Sequence, residues 1–234
     1  MQTARRQAQA ATVSDRASLA RGRGGLAVAL LALAGFAALF TLVRTKRSAA
    51  ADVAITMRLQ RRKWPWLGRV MHLASWPGFP PQSRIIPAVI PAVIWMLGFR
   101  LEALFQLLGW GTSGLSFCIK SIMNRERPNQ PEIAVAVARI GGSSFPSGHT
   151  INYVGVYGFL AYLVHTWVRP TMLRRTIVGF LLGMIALVGP SRIYLGHHWA
   201  TDVSASYLLG TTYLIGLTSL YRWVKARATG VSRP

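Results

Sequence analysis

The sequence predicts an all-α integral-membrane protein, a bundle of six transmembrane helices. Hydrophobic residues make up 52% of the chain and charged residues only 14%, a balance unlike that of an ordinary soluble domain. The apolar residues also stand in uncharged runs of 15 to 19 residues. Such runs are too long for typical strands, and they approach the ~20 residues that a helix needs to cross a bilayer.

Six runs provide the predicted spans: residues 26–43, 85–99, 103–119, 150–168, 176–191 and 203–221. The second run contains Pro87 and Pro91, each of which removes a backbone hydrogen bond and should bend the helix. The third is the most polar, because it carries Gln106 and three hydroxyl side chains. A helix of that composition belongs inside a bundle rather than against lipid.

Polar segments flank this membrane domain, which we place at residues 26–221. Residues 1–25 form an arginine-rich tail, expected to be disordered and cytoplasmic, with a transit peptide as the alternative. Residues 222–234 form a basic C-terminal tail. After the first span, residues 52–81 mix cations with Trp64, Trp66 and Trp76, which predicts an interfacial helix and loop.

The excess of basic residues, 27 Lys and Arg against 6 Asp and Glu, indicates a membrane rather than nucleic acid. These cations stand mainly at the ends of the apolar runs, where they meet lipid phosphates. They divide almost evenly between the two predicted faces, so the positive-inside rule sets no orientation. The single cysteine, Cys118, excludes an internal disulfide and is expected to be a small buried hydrophobe.

Three polar clusters follow or precede alternate spans, at residues 120–127, 146–149 and 191–202. An even number of membrane crossings separates them, so we expect all three on one membrane face. Together they supply three cations and a Ser-Gly turn at a helix start, which suits a multiply charged oxyanion such as phosphate. The members of this predicted anion site are Lys120, Arg127, Ser147, Gly148 and Arg192.

Two histidines, His149 and His198, come to this face from different loops. In such a site one imidazole can attack phosphorus while the other protonates the leaving oxygen. Asp202 follows His198 by four residues, so on a helix it would accept a hydrogen bond from that ring. A purely structural His-Asp pair is the alternative. Structural or interfacial positions are expected for the other histidines, His72, His165 and His197.

A metal-dependent site is disfavoured by the supply of carboxylates. Two-metal phosphatases use several of them, and this chain has six acids in all. Only Glu126, Glu132 and Asp202 stand on or near the predicted face. We therefore expect lysine and arginine to neutralise the phosphoryl charge, in a covalent reaction that uses no metal and no cofactor.

Three motifs together resemble the signature of the type-2 phosphatidic acid phosphatase superfamily, which also includes vanadium haloperoxidases and glucose-6-phosphatase. They are Lys120-(six residues)-Arg127-Pro128, Pro146-Ser147-Gly148-His149, and Ser191-Arg192-(five residues)-His198-(three residues)-Asp202. Each motif is weak alone, but all three occur in order, each next to an apolar run.

The resemblance implies a role for each matching position. His198 would be the nucleophile that forms a phosphohistidine, Asp202 would orient it, and His149 would be the general acid. The phosphate would be held by Lys120, Arg127, Ser147, Gly148 and Arg192. The resemblance also implies a multi-pass protein of the plasma membrane, with its active site on the outer or periplasmic face.

These sequence observations leave three candidate functions. The first is a membrane lipid phosphatase that cleaves a phosphomonoester or diphosphate from a phosphatidate-like or polyprenyl-like lipid. The second is vanadate-dependent halide oxidation, which the six apolar runs disfavour because those relatives are soluble. The third is a non-catalytic phosphate- or lipid-binding protein or transporter, which would not need His149, His198 and Asp202 together.

Overall fold

A computed structural model describes residues 2–61, 64–136 and 141–228, with side chains from residue 23 onward. Over these ranges the structure is all-helical and contains no strand, as predicted. Its elements are α1 Gln2–Arg44, α2 Ala49–Gln60, α3 Pro65–Ser75, a 3-10 turn at Trp76–Gly78, α4 Gln82–Met96, α5 Arg100–Gly109, α6 Thr112–Met123, α7 Gly148–Trp167, α8 Thr171–Tyr194 and α9 Ala200–Ala228.

The predicted count of six spans is not confirmed. By length and composition, three helices of the described chain can cross a membrane: residues 23–44 of α1, α8 and α9, while the apolar α4 is shorter. The predicted third span is broken into α5 and α6 at Trp110 and Gly111. A side chain at 111 would lie 2.6 Å from the hydroxyl of Tyr213, so the break suits a close approach of α9.

The central helix of the bundle is α7, which packs against α5, α6, α8 and α9. It is 20 residues long and apolar over most of its length, although it carries the polar residues His149, Asn152 and His165. Most of its residues are buried, including Phe159 and Leu163, which belong to one apolar core cluster with α5 and α9. Because neighbouring helices rather than lipid surround α7, its polar residues can contact protein partners.

The N-terminal segment is helical, although we expected it to be disordered. The backbone of α1 begins at Gln2, so a helix stands where we expected a disordered tail. Alanine, glutamine and arginine dominate that segment and are good helix formers. At the other end α9 continues past residue 221 to Ala228, and residues 229–234 of the predicted tail lie outside the described residues.

The segment after the first span, where we predicted an interfacial helix and loop, contains two helices, α2 and α3, followed by the 3-10 turn. Arg62 and Lys63 of that segment lie outside the described residues. Cys118, expected to be buried, is exposed on α6. Its neighbours Phe117 and Ile122 are exposed as well, which is the pattern of a lipid-facing surface.

Small residues let α7 approach its neighbours closely. A Cβ atom at Gly155 would lie 2.7 Å from Cγ2 of Thr112, and it would also meet the backbone of Gly109. We expect Gly155→Ala to lower the melting temperature of the detergent-solubilised protein by about 3–8 °C, because overpacking costs about 1–3 kcal/mol.

Gly179→Ala on α8 is the matched control, since no atom lies within 4 Å of a Cβ at that position. Thermal unfolding of the two variants side by side checks this prediction. Equal melting temperatures would contradict the close packing of α5, α6 and α7.

Candidate active site

The structure brings the three predicted clusters together at one end of the bundle. Nη1 of Arg127 lies 3.3 Å from Nε2 of His198, and the backbone N–H of Ser147 donates to the Asp202 carbonyl at 3.4 Å. The ring of His149 lies 5.1 Å from that of Phe79, and the guanidinium of Arg192 lies 5.0 Å from the same Phe79 ring. The convergence expected from alternate loops is therefore present in the fold.

The start of α7 is organised by the hydroxyl of Ser147. This hydroxyl accepts hydrogen bonds from the backbone N–H and the hydroxyl of Thr150, at 3.5 and 3.0 Å, and so caps the helix. Its own hydrogen is left to donate elsewhere. The next two backbone N–H groups, of Gly148 and His149, have no acceptor among the described residues. They are the kind of donors that bind anions at a helix N-terminus.

The position of His198 determines which ring nitrogen is reactive. Nδ1 lies 2.8 Å from the carbonyl oxygen of Ser144. Because a carbonyl only accepts, Nδ1 carries the proton and the lone pair is on Nε2. Burial, with Arg192, Arg127 and Lys120 nearby, holds the pKa of His198 well below its usual value. The imidazole is therefore neutral at pH 7, as a nucleophile must be.

Asp202 contacts His198 less directly than we expected. Its Oδ2 is 3.6 Å from Nδ1 of His198, too far for a hydrogen bond, and Ser144 takes that bond instead. The carboxylate accepts the backbone N–H of Trp199 at 2.9 Å and so caps the start of α9. Asp202 thus holds the end of the loop that carries His198, and its charge lies just beyond the ring.

The sequence reading missed two residues that fix Asp202, namely Arg125 and Asp52. One nitrogen of the Arg125 guanidinium pairs with Oδ1 of Asp202, and the other pairs with Oδ2 of Asp52 at 2.7 Å. Asp52 on α2 is 1% exposed, and it also accepts the backbone N–H and hydroxyl of Thr201. In the sequence Asp52 stands out as an acid at the start of a cationic segment, but nothing in the sequence links Asp52 to Arg125.

The three predicted phosphate-binding cations, of which Lys120 and Arg127 are half-buried and Arg192 is fully buried, have no carboxylate partner among the described residues. Nζ of Lys120 donates to the Ser143 carbonyl at 2.7 Å, and Nη1 of Arg127 donates to the His197 carbonyl at 2.8 Å. Arg192 is 0% exposed, and two of its nitrogens have no partner in the described structure. Burial lowers the pKa of Arg127. Uncompensated buried positive charge is costly, so the site is built for an anion.

The prediction for His197 was wrong. It is 1% exposed rather than interfacial, and its ring stands edge-on to Phe79 at 6.2 Å. Burial and the nearby Arg192 lower its pKa to about 4, so it is neutral. The prediction assumed that His197 lies on a helix. His197 lies instead in the loop between α8 and α9, so helical spacing could not predict its burial. His72 and His165, for which structural or interfacial positions were predicted, are exposed.

Comparison with known proteins identifies the family. Residues 101–226 match the model of the PAP2 superfamily. The chain is 31% identical to phosphatidylglycerophosphatase B of Bacillus subtilis (strain 168) over 183 residues, which cover 75% of this chain and 85% of the relative. The chain belongs to the PAP2 superfamily.

Solved structures of this superfamily share the fold. The crystal structure of a transmembrane PAP2-type phosphatidylglycerolphosphate phosphatase from Bacillus subtilis matches with a TM-score of 0.72 and 26% identity, over 82% of this chain and 94% of that one. LpxE of Aquifex aeolicus matches in fold alone, with a TM-score of 0.56 and 20% identity, over 72% and 95% of the two chains.

Another PAP2 relative is lipid phosphate phosphatase delta of Arabidopsis thaliana, 27% identical over 135 residues. That match covers 54% of this chain, which spans about a third (32%) of the plant protein. With these relatives, the described fold and the paired histidines, this PAP2 protein is an integral-membrane lipid phosphatase.

Asp52 does not line the anion site, but its ion pair with Arg125, which also pairs with Asp202, should hold the reacting groups in position. We expect Asp52→Asn to lower kcat about ten- to a hundredfold, because a small displacement of a reacting group has that effect. KM should change little, since the phosphate-binding cations are untouched. Phosphate release from a lipid phosphate in detergent micelles measures both constants.

Glu102→Gln is the matched control, because Glu102 is also a buried carboxylate, paired with Lys225 and Tyr221 away from the anion site. It should keep kcat within about twofold of the wild type while it removes a comparable ion pair. If Asp52→Asn retains the kcat of this control, the network does not position the reacting groups.

Proposed function

We propose that this protein hydrolyses a lipid phosphomonoester or diphosphate in two steps, through a phosphohistidine at His198. The observation that carries the proposal is the Nε2 lone pair of a neutral imidazole, held near three cations, two half-buried and one fully buried, that have no carboxylate partner among the described residues. A nucleophile beside a cluster of cations that can bind a phosphate is the arrangement that phosphoryl transfer needs.

The substrate phosphate binds among Lys120, Arg127 and Arg192 and receives the free hydrogen bonds of the Ser147–His149 turn. Arginine and lysine donors spread over three oxygens neutralise a dianion and stabilise the charge of the transition state. Arg127, which now lies against Nε2 of His198, shifts to the incoming oxygens and frees the lone pair.

In the first step Nε2 of His198 forms a bond to phosphorus while the bond from phosphorus to the leaving oxygen breaks. His149, which takes up a proton when the phosphate dianion binds beside it, donates that proton to the leaving oxygen, and the lipid alcohol, or lipid monophosphate, leaves. The Ser144 carbonyl accepts the hydrogen bond from Nδ1 while the His198 ring becomes positively charged. Oδ2 of Asp202, 3.6 Å from Nδ1, adds a negative charge near the ring.

In the second step His149, now neutral, takes a proton from water as the water oxygen attacks phosphorus. The bond between phosphorus and Nε2 breaks, and inorganic phosphate leaves. Each histidine returns to its starting state, so the cycle needs only water and substrate. In the described part of the chain no three His, Cys, Asp or Glu side chains stand close enough to hold a metal ion. The proposed cycle uses lysine and arginine instead.

The substrate is proposed to be an anionic lipid whose tail stays in the bilayer. The family resemblance and the name of the Bacillus relative, a phosphatidylglycerophosphatase, support this class. We also propose that the protein lies in the plasma membrane with its active site on the outer or periplasmic face, as the resemblance implies.

Replacing His198 by glutamine tests the nucleophile. Glutamine keeps a donor for the Ser144 carbonyl but has no nucleophilic nitrogen, so we expect His198→Gln to lower kcat by about a thousandfold or more. Labelled substrate quenched at alkaline pH should leave a phosphoryl group on wild-type His198 and none on the variant. The assay is run with excess chelator, where a metal-independent reaction keeps its rate.

His197→Gln is the matched control, because it removes the adjacent buried histidine and should keep kcat within about tenfold. Near-normal turnover in His198→Gln, or labelling of another residue, would refute the nucleophile assignment. A strict requirement for Mg²⁺ would indicate the metal-dependent mechanism instead.

A further inference from the structure

Gln60, the last residue of α2, makes three hydrogen bonds to backbone groups that are far away in the chain. Its Nε2 donates to the carbonyls of Ala134 and Tyr194, each at 2.8 Å, and its Oε1 accepts the N–H of Ala134 at 3.0 Å. Both amide hydrogens and the amide oxygen are therefore used. The opposite orientation of the amide would turn its oxygen toward two carbonyl oxygens, so this set of bonds fits one orientation only.

The two segments that Gln60 joins both belong to the candidate active site. Tyr194 ends α8, and residues 195–199 form the loop that carries His198, which we call the nucleophile loop. Ala134 belongs to the segment after α6, and we call residues 126–136 of that segment the strap. The strap includes Arg127, one of the predicted phosphate-binding cations. Gln60 therefore connects the strap to the start of the nucleophile loop.

The strap lies directly against the nucleophile loop at the end that Gln60 holds. The backbone N–H of Ala136 donates to the Leu195 carbonyl at 3.1 Å. Gly196 has a left-handed backbone, with φ at 70°, and a Cβ atom there would lie 2.5 Å from the carbonyl oxygen of Ala134. The absence of a side chain at 196 is what allows the strap to come this close.

At its other end the strap contacts the residues on both sides of the nucleophile. Nη1 of Arg127 donates to the His197 carbonyl at 2.8 Å and lies 3.3 Å from Nε2 of His198. Nε1 of Trp199 donates to the Glu126 carbonyl at 3.0 Å. A shift of the strap along the loop would therefore move Arg127 relative to Nε2 of His198, the two groups that are proposed to meet the phosphate.

The helix α2 holds the nucleophile loop at both of its ends. Asp52 accepts the backbone N–H of Thr201 just after the loop, at 2.9 Å, and Gln60 binds the Tyr194 carbonyl just before it. Gln60 is half-buried, so water can satisfy the same backbone groups when this side chain is changed. Water does not fix the distance between two segments. Loss of the amide should therefore alter position more than stability.

We propose that Gln60 is a positioning residue for phosphoryl transfer, because it fixes the strap against the nucleophile loop and so sets the spacing between Arg127 and Nε2 of His198. Gln60 touches neither the substrate nor the reacting atoms, and it acts through the backbone of Ala134 and Tyr194. The inference rests on the proposed function, in which His198 attacks phosphorus.

Replacing Gln60 by methionine tests this role, because methionine has a similar length but makes none of the three hydrogen bonds. The substrates are phosphatidate and a polyprenyl diphosphate in detergent micelles, each labelled at the terminal phosphorus. With protein in excess over substrate, the rate at which the label leaves the lipid reports the attack by His198. We expect Gln60→Met to lower this rate and kcat by about ten- to a hundredfold, and to change KM by less than about threefold.

Gln130→Met is the matched control, since it makes the same substitution within the strap. Oε1 of Gln130 accepts only a local hydrogen bond, from the backbone N–H of Asn129 at 3.2 Å. We expect this variant to keep the wild-type rate within about twofold. Both variants should melt within about 3 °C of the wild type, and all rates are measured well below these melting temperatures.

The proposal is overturned if Gln60→Met releases the label as fast as Gln130→Met, or if its loss of activity appears in KM alone. Failure of the proposed function has a different signature. In that case an alkaline quench leaves no phosphoryl group on His198 of the wild-type protein with either lipid.

Discussion

The anion site depends on buried positive charge that the protein leaves uncompensated. Lys120 and Arg127 donate to backbone carbonyls, and the one side-chain hydrogen bond of Arg192 among the described residues goes from Nη1 to the hydroxyl of Ser75 at 3.4 Å. A neutral acceptor satisfies a donor but does not cancel its charge, so the folded protein stores an unfavourable electrostatic energy here. A bound phosphate cancels this charge, and the same positive field keeps the imidazole of His198 neutral before the substrate arrives.

Such a site needs a rigid frame, because like charges repel. The frame has two parts that meet at Asp202. The salt-bridge network of Asp52, Arg125 and Asp202 ties α2 to the start of α9. The start of α7 supplies its cap, and the backbone N–H of Ser147 donates to the Asp202 carbonyl. The protein thus places its carboxylates behind the site, where they hold the loops, and presents cations and N–H groups to the ligand.

Much of the site followed from sequence, and the reason is topological. Clusters on alternate loops of a helical bundle meet at one end, so Lys120, His149 and His198 could be assigned to one site without coordinates. Charge and residue type then indicated phosphate. The all-helical class followed from the uncharged apolar runs, because they are longer than typical β-strands.

The remaining features depend on packing that local patterns do not encode. The break at Trp110 and Gly111 splits one predicted span at the point where Tyr213 of α9 approaches Gly111 closely. Asp52 and Arg125 are 73 residues apart and meet only through the fold. The ring of His198 bonds to Ser144 rather than Asp202 because the loop before α7 passes directly over it, and a carbonyl has no sequence signature. His197 is buried for a similar reason, since the loop turns it toward Phe79.

A structure of the protein with orthovanadate tests the central claim most directly, because vanadate adopts the five-coordinate geometry of phosphoryl transfer. The account predicts vanadium bonded to Nε2 of His198, with its oxygens in contact with Lys120, Arg127 and Arg192 and with the N–H at Nδ1 still donating to the Ser144 carbonyl. Vanadium bonded through Nδ1, bonded to another residue, or bound away from the three cations would contradict it.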